Sequence, residues 1–340
     1  MDWRVLLGCI SLWAGLVLAE VGSFDECKQY FCKEFQPFGF QISHWAQICQ
    51  RYNRQYHFAT LYDKANRIPY WSAYILSVAN CPDQTSRKRQ WFVEPQVSPS
   101  TENESTLSEK ELRFSQAINE DYEDTSYTRG HLNPYSFQCD DSSTATFTLT
   151  NAVPMEPYFN QVRWHKLEKN LKRQLIENCI SKRGTAYLVT GAVPSDNEKI
   201  PKTDEDKVSV PSHIWTAVSC DHPDNNRKFS FAFLAENKAA SRLQLMSVEQ
   251  LNSELSRLYS RTIKIFSNDL PKEFRSTSFN GSGAPKSPRW FETELDKFMK
   301  EMIRWDRLIW QLTDLKLLVL VTNIPLICDG MGFDLVQKII

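Results

Sequence analysis

The sequence has no excess of charge of either sign: 40 Lys and Arg residues stand against 41 Asp and Glu residues, for a formal net charge of −1. Domains that bind nucleic acid through their overall charge are strongly basic. The balance therefore argues against that class of protein. A polyanionic ligand would require a basic surface that is local.

Internal repeats are absent from the sequence, and so are the closely spaced Cys and His residues that form structural zinc sites. The 9 Cys residues are spread widely and irregularly. Cys9 falls within an N-terminal apolar run, and the remaining even number is expected to form disulfides in an oxidising compartment. A zinc site is the weaker alternative, and the spacing does not reveal which cysteines pair.

Apolar runs long enough to span a membrane are also scarce. The run from Val5 to Ala19 follows Asp2 and Arg4 and is shorter than the roughly 20 residues that cross a bilayer. This pattern predicts a signal peptide over residues 1–19, cleaved near Ala19, and therefore a secreted, extracellular protein. A membrane anchor is the alternative. Two N-glycosylation triplets, Asn103–Ser105 and Asn280–Ser282, are compatible with secretion.

Composition divides the rest of the chain into three parts. Residues 20–270 are long enough to build one sizeable core, a Ser-, Gly- and Pro-rich linker is predicted over 271–288, and a helical and apolar tail over 289–340. The last apolar run, Leu315–Cys328, is interrupted by Lys316, Asn323 and Pro325, so stable membrane insertion is not expected. Anchoring through this tail stays open as an alternative. The oligomeric state cannot be deduced.

Periodicities in the main domain predict both strands and helices. A hairpin is predicted over His57–Ile75, and Thr144–Thr150 alternates like a half-buried strand. Helices are predicted over Asn160–Ile176, from its apolar stripe, and after Ser247, which opens a capping box. Further strands are predicted over Ala186–Thr190, Ile214–Ser219 and Phe229–Leu234. We therefore expect an α/β domain of the α+β type, with a mainly antiparallel central sheet and flanking helices.

The segment Tyr127–Pro134 places Arg129, Gly130 and His131 in consecutive positions before a turn. An imidazole can deprotonate water near neutral pH. A guanidinium can bind two phosphate oxygens at once, and glycine lets the backbone bring such groups close. A site that cleaves phosphodiesters needs these parts, although the tripeptide alone equally fits a turn with a surface histidine.

A second group of polar residues follows at regular intervals. Asn151 stands in Thr150–Pro154, Asn160 comes nine residues after Asn151, and Glu168 eight residues after Asn160. Together the two segments resemble the DNA/RNA non-specific endonuclease family, which includes secreted bacterial nucleases and mitochondrial endonuclease G. The segments Cys49–Tyr52, Phe58–Asp63, Arg67–Pro69 and Phe147–Met155 are similar to those of the vertebrate endonuclease domain-containing 1 proteins.

The resemblance implies a ββα-metal (His-Me finger) active site and a Mg²⁺-dependent hydrolase, an endonuclease with DNA or RNA as substrate. By position, His131 would be the general base, and Asn160 would bind one hydrated Mg²⁺, or Mn²⁺, through its amide oxygen. Arg129 would hold the phosphate, and Arg89 would stabilise the pentacoordinate phosphorus. Because such contacts go to the phosphate backbone, little sequence preference is expected.

The resemblance assigns supporting roles on the predicted helix and beside it. Asn151 would support the metal site, and Glu168 would lie near the metal-bound waters. Lys172 stands where active relatives can carry Arg, and Arg173 is its neighbour; both are candidate substrate-binding residues, as is Gly130. An ideal helix would separate Asn160 from Glu168 by about 12 Å. Either the helix is irregular near Asn160 or Glu168 acts through water.

One departure from the family pattern stands directly before the Arg-Gly-His segment. Thr128 occupies the position where family members usually carry Asp, so a supporting hydrogen bond or charge is expected to be missing. This favours, as the alternative function, a catalytically weak or inactive secreted protein that binds or regulates on the nuclease fold. Retention of His131 favours the enzyme.

Each site residue also has a structural interpretation. Asn160 could cap its helix, Glu168 could pair with a nearby cation, and Arg89 could belong to a solvated basic patch with Arg87 and Lys88. The cations along the predicted helix are by default solvated surface, although they could form the local basic groove that a neutral chain needs.

Overall fold

The computed structural model describes residues 23–40, 44–77, 90–94, 97, 109–201 and 208–267. All of these belong to the first of two units, Met1–Pro285 and Lys286–Ile340. The predicted signal peptide, both glycosylation triplets, the linker, the tail and Arg89 lie outside the described residues, so these predictions stay untested.

Seven antiparallel strands form the central sheet, in the order β1-β2-β3-β6-β9-β10-β11. Their bounds are β1 Trp45–Tyr52, β2 Gln55–Asp63, β3 Ile68–Ile75, β6 Thr185–Val193, β9 His213–Asp221, β10 Phe229–Glu236 and β11 Gln244–Met246. Two short strands, β7 Lys199–Ile200 and β8 Val208–Ser209, pair with each other outside this sheet. The predicted hairpin is β2–β3, and the three later strand predictions fall within β6, β9 and β10. The antiparallel α+β fold class is confirmed.

The central strands are buried almost throughout, because both faces of the sheet are covered. One face is apolar and carries Trp71 and Trp215, against which the aromatic rings of Phe24 and Phe40 pack. The other face carries buried hydroxyl groups that need hydrogen-bond partners. There the Ser72 hydroxyl contacts that of Thr60 at 2.9 Å and donates to the Asn151 side chain at 2.9 Å. These hydroxyls fix the sheet to the segment that carries the candidate site.

Four α-helices lie among the described residues: α1 Glu109–Ser115, α2 Asp140–Ala145, α3 His165–Asn178 and α4 Val248–Leu258. The capping box predicted at Ser247 is confirmed, since Gln250 N–H donates to Ser247 Oγ at 3.1 Å and Ser247 N–H to Gln250 Oε1 at 2.9 Å. The helix predicted to start at Asn160 is also confirmed, with Leu167, Leu171 and Leu175 buried. None of the described helices has the length and apolar character to cross a bilayer.

Disulfides join the periphery of the sheet to its strands. Cys27 pairs with Cys49 and Cys179 with Cys220, and Cys139 is disulfide-bonded as well. Within the described part of the chain, Cys32 is a free, buried thiol. The disulfide prediction is therefore confirmed for Cys27, Cys49, Cys139, Cys179 and Cys220, and it is wrong for Cys32.

The strand predicted over Thr144–Thr150 is wrong. The chain there ends α2 and then forms a short 3-10 turn at Leu149–Asn151. The Thr146 hydroxyl donates back to the Ser143 carbonyl at 2.8 Å. Such local hydrogen bonds let Ser and Thr satisfy backbone groups outside a sheet. Among the described residues, the backbone pairing of this segment with another is a single bridge to Phe92, and most of its Thr side chains are buried together with Leu149. The alternation therefore does not mark a half-buried strand.

Candidate active site

A separate hairpin carries the Arg-Gly-His segment. Strand β4, Thr128–His131, pairs antiparallel with β5, Ala152–Met155, so that Thr128 faces Met155 and His131 faces Ala152. Leu132 N–H extends the pairing to the Asn151 carbonyl at 2.9 Å. A helical segment follows β5 at Phe159, which completes two strands and a helix in the order ββα.

Gly130 allows β5 to approach closely. A Cβ atom at this position would lie 2.2 Å from Met155 Sδ and 2.4 Å from its Cγ. Both residues are buried, so a larger side chain would have to displace Met155 from the face of the hairpin. Glycine therefore keeps the neighbouring His131 and Thr128 on one closely packed unit.

The imidazole of His131 is surrounded by aromatic rings. The ring centroids of Trp91 and His131 lie 4.5 Å apart with a tilt of 38°, and Phe147 contacts the imidazole edge-on at 4.8 Å. Tyr135 lies 5.8 Å away. His131 is partly exposed as a residue, whereas its Nε2 atom is shielded from solvent. The cage thus restricts both the orientation of the ring and the side from which solvent reaches it.

Asn160 is tied to the strand that ends at His131. Its Nδ2 donates to the Thr128 hydroxyl at 2.9 Å, and that hydroxyl donates to the Met155 carbonyl at 3.2 Å. Three residues of strand, about 10 Å, separate Thr128 from His131. Asn160 is partly exposed, and none of the described residues donates a hydrogen bond to its Oδ1. The amide oxygen is therefore available to a ligand.

The helix is irregular where it carries Asn160. Residues Phe159–Trp164 form a π-helix before α3 begins, and His165 N–H reaches back five residues to the Asn160 carbonyl. Single π turns are rare and occur frequently at functional sites. The helix is thus irregular near Asn160, which was one of the two possibilities for the spacing to Glu168. The action of Glu168 through water stays a prediction.

Glu168 lies on α3 in a poorly solvated position. Burial raises the pKa of its carboxyl to about 8, and the neighbouring Trp164 side chain opposes this shift. No Lys or Arg among the described residues forms an ion pair with Glu168. The structural interpretation of Glu168 as half of an ion pair therefore receives no support within those residues. A carboxyl in this state is suited to a cation supplied from outside the protein.

The guanidinium of Arg129 is partly engaged by the protein. Nη2 donates to the Asn119 carbonyl at 2.8 Å, and Cζ lies 4.9 Å from the ring centroid of Tyr122. A guanidinium has five N–H donors, so these contacts leave others that could reach a phosphate. They also hold the side chain in one orientation.

Asn151 has no free hydrogen-bonding position on its carboxamide. Oδ1 accepts from Ser72 Oγ and from Asn133 N–H, both at 2.9 Å. Nδ2 donates to the carbonyls of Asn133 and Thr146 at 3.0 and 2.9 Å. The residue is fully buried. Asn151 therefore joins the sheet to the loop that follows His131, and its link to a metal would be indirect.

The two basic candidates on α3 have different surroundings. Lys172 Nζ donates to the Ser136 carbonyl in the loop after His131, and burial lowers the pKa of Lys172. Arg173 is exposed and pairs with Glu177 at 3.6 Å. The structure thus brings Lys172, but not Arg173, into contact with the loop of the candidate base.

Arg163, one of the cations along the predicted helix, does not contribute to a solvated groove. It is buried, and its Nε donates to the Ala239 carbonyl at 2.6 Å. This contact ties the π turn to a loop of the main domain.

Sequence reasoning missed the residues that enclose the candidate base. Trp91 and Phe147 come from distant segments, and the spacing of residues gave no signal for either. Thr128 drew attention only as a departure from the family, whereas its hydroxyl contacts the candidate metal ligand.

A model of the family described as DNA/RNA non-specific endonuclease matches residues 40–271 of the chain. The chain belongs to this family. The match spans the central sheet, the ββα unit and α4, so the resemblance recognised in the short motifs extends over the described residues from 40 onwards.

Curated relatives of this family member include the human Endonuclease domain-containing 1 protein, 36% identical over 239 residues, which cover 66% of this chain and 46% of that protein. Its mouse counterpart is 34% identical over 67% of this chain and 46% of its own length. The mouse mitochondrial Nuclease EXOG is 27% identical over 60% of this chain and 52% of its own. The chain thus spans about half the length of the curated relatives it matches.

Among solved structures, a chain from the crystal structure of an EndoG/EndoGI complex matches with a TM-score of 0.46 and 18% identity, covering 65% of this chain and 85% of that chain.

Proposed function

We propose that the protein is a divalent-metal-dependent endonuclease that hydrolyses phosphodiester bonds of DNA and RNA with little sequence preference. The observation that carries this proposal is the hydrogen bond from Asn160 Nδ2 to Thr128 Oγ1. It connects the candidate metal ligand to the four-residue strand that ends at His131. Base and ligand therefore belong to one rigid ββα unit, as a single scissile phosphate requires.

The side chains present fit Mg²⁺ or Mn²⁺. Asn160 presents an amide oxygen, and Glu168 presents a carboxyl without a cation among the described residues. Hard divalent ions prefer oxygen donors of these two types, and Mg²⁺ keeps several of its waters. Asn160 would hold the ion directly, with Glu168 acting on its waters. When bound, such an ion neutralises charge that develops on the phosphate and the leaving oxygen.

His131 takes the proton from the attacking water in this proposal. Its Nε2 is shielded from solvent, so we assign the proton transfer to Nδ1. The contacts with Trp91 and Phe147 orient the ring, which reduces the reorganisation needed before transfer. An imidazole is suited to this role because its pKa is ordinarily near neutral pH.

The cations have unequal roles. The Arg129 donors not used by Asn119 contact the phosphate, and the contact with Tyr122 holds the guanidinium in place. Lys172 acts on the loop after His131 through the Ser136 carbonyl. Contacts to phosphate carry no base identity, so the substrate class is nucleic acid in general.

We further propose that the protein acts outside the cell. The disulfides Cys27–Cys49 and Cys179–Cys220 support this, since such bonds persist in oxidising compartments. The apolar leader is compatible with it.

A binding or regulatory protein without turnover is the second candidate function. The observation that favours it is the engagement of Arg129 by Asn119 and Tyr122, together with an uncharged residue at position 128. A protein of this kind would bind nucleic acid without cleaving it.

Degradation of plasmid DNA and of a long RNA by the purified protein, with Mg²⁺ or with EDTA, tests both candidates. We expect cleavage with Mg²⁺ that His131→Ala and Asn160→Ala each abolish. His165→Ala is a matched control, because His165 is exposed and lies on the helical segment that also carries Asn160. Nucleic-acid binding without metal-dependent cleavage would establish the second candidate and overturn the first.

A further inference from the structure

We infer that Thr128 is a positioning residue that sets which atom of the Asn160 carboxamide faces the metal. This inference rests on the proposed function, since it concerns the same site. Asn160 can coordinate the metal only if Oδ1, rather than Nδ2, points away from Thr128 towards the ion. An amide nitrogen that carries two protons does not coordinate Mg²⁺. The two atoms occupy almost the same volume, so packing alone does not select between them.

The Thr128 hydroxyl supplies the selection because it has a single proton. That proton is donated to the Met155 carbonyl at 3.2 Å, directly across the hairpin. What remains on the oxygen is acceptor capacity only, and it is directed at Asn160. The Asn160 side chain must therefore present its donor, Nδ2, which lies 2.9 Å away.

Backbone contacts fix the main chain of Asn160. Its N–H donates to the Glu156 carbonyl at 2.9 Å, and its carbonyl accepts the π-turn hydrogen bond from His165. With the carboxamide lying against Thr128, a 180° rotation of the amide is the main alternative. That rotation would place Oδ1 next to the Thr128 oxygen, whose only proton is already hydrogen-bonded to the Met155 carbonyl. The orientation with Oδ1 pointing away from Thr128 is therefore favoured.

The hydroxyl achieves this orientation without adding charge. A carboxylate at position 128 would also accept from Nδ2, and it would add a negative charge beside the cation. With Thr128, the site depends on orientation rather than on an extra charge. Metal affinity should therefore respond to loss of the hydroxyl and increase when a carboxylate replaces it.

Metal binding by the full mature chain, measured without nucleic acid, tests the inference. Titration with Mn²⁺, followed by the electron paramagnetic resonance signal of free ion, should show affinity weakened about 10- to 100-fold in Thr128→Val, the range typical for residues that orient a ligand. Thr128→Ser keeps the proton and the acceptor and should bind as the natural chain does. Thr125→Val is the matched control, because its hydroxyl donates to the Tyr122 carbonyl and does not reach Asn160.

The side-chain amide of Asn160 gives a second readout. Its nitrogen and proton NMR signals, assigned through Asn160→Ala, should shift in Thr128→Val and stay in place in Thr128→Ser and Thr125→Val. Thr128→Asp should bind Mn²⁺ more tightly than the natural chain, and this variant preserves the test if Thr128→Val fails to fold.

Different outcomes would overturn the proposed function and the role of Thr128. Absence of Mn²⁺ and Mg²⁺ binding by the natural chain would overturn the proposed function. Binding by the natural chain with unchanged affinity in Thr128→Val, or weaker binding in Thr128→Asp, would overturn only the role of Thr128. Equal weakening in Thr125→Val would also overturn it, because the effect would then be general.

Discussion

The indole ring of Trp91 lies over the imidazole of His131, with their centroids 4.5 Å apart and their planes tilted by 38°. Trp91 comes from a segment that joins the candidate site only through tertiary structure: its neighbour Phe92 forms a parallel bridge with Thr148. The Trp91 carbonyl also accepts from the Asn119 side chain at 3.3 Å, and Asn119 in turn contacts Arg129. Trp91 thus contacts the candidate base through its ring and, through its backbone carbonyl and Asn119, is connected to the candidate phosphate ligand.

Removal of this ring should affect catalysis more than substrate binding. Trp91→Ala should lower kcat by about tenfold or more, because displacement of a catalytic base by as little as about 1 Å can reduce the rate about 100-fold. Trp91→Phe keeps an aromatic face, whose stacking contributes about 1 kcal/mol, and should retain most activity. Steady-state kinetics on an oligonucleotide would measure both.

Phe92→Ala provides the control for Trp91, since this neighbouring ring is 46% exposed and is not among the contacts of His131. Its kcat should stay unchanged. A Trp91→Ala variant with the natural kcat would show that the imidazole does not depend on the indole.

Substitution of Asn151 should mainly lower the stability of the fold, whereas substitution of Asn160 should mainly abolish metal binding. Asn151→Ala removes four hydrogen bonds and leaves buried partners unsatisfied, so unfolding should become easier by about 3–5 kcal/mol. Asn160→Ala loses one side-chain hydrogen bond at a partly exposed position, about 1 kcal/mol, but should abolish metal binding. Chemical denaturation and metal titration of both variants would compare them. Metal binding lost in a folded Asn151→Ala, with Asn160→Ala unaffected, would reverse our assignment of the two residues.

Much of the fold could be predicted because its signals are local. The buried residues Leu167, Leu171 and Leu175 recur at the helical period, and Ser247 with Gln250 forms a capping box readable over four residues. The central strands are rich in apolar and aromatic residues, with single Ser and Thr residues between them, and the sheet buries both of their faces.

The strand prediction over Thr144–Thr150 failed because alternating polarity does not reveal whether a partner strand exists. This segment ends α2, makes a single bridge to Phe92 and turns at Leu149–Asn151. The π turn at Asn160 could be stated only as one of two possibilities, because the chain length from Asn160 to Glu168 shows a conflict with ideal geometry but not its resolution. Trp91 was missed since its contact with His131 depends on the tertiary fold.

The carboxyl of Glu168 should make the metal-free protein less stable as the pH rises. The pKa of this carboxyl is raised from 4.5 to about 8 in the folded state. Between these two pH values the carboxyl is therefore ionised in the unfolded chain and mostly protonated in the folded protein. The contribution of Glu168 to stability is therefore fully present below about pH 4.5, falls as the pH rises to about 8 and then levels off, by a total on the order of a few kcal/mol.

Glu168→Gln removes this titration. In EDTA, the variant should melt at a higher temperature than the natural chain at pH 8, by several degrees, and the difference should shrink towards pH 5. Mg²⁺ should stabilise the natural chain more than the variant, since only the former gains a charged partner for the ion. Parallel pH dependence of the two melting temperatures in EDTA would contradict a raised pKa at Glu168.

Lys172 should act on catalysis through the loop that it holds rather than by binding phosphate. Its ammonium donates to the Ser136 carbonyl, one residue after Tyr135, whose ring lies near His131. Lys172→Met preserves the aliphatic stem and removes this anchor, so kcat should fall several-fold while KM changes little. A phosphate ligand would behave differently: its loss raises KM and reduces the salt dependence of binding by about one unit of slope. Arg173→Met is the matched control, because Arg173 is exposed and paired with Glu177, and both kinetic constants should remain as they are. Measured over a range of salt concentrations, a raised KM with a shallower slope in Lys172→Met would return Lys172 to the substrate-binding role that the sequence predicted for it.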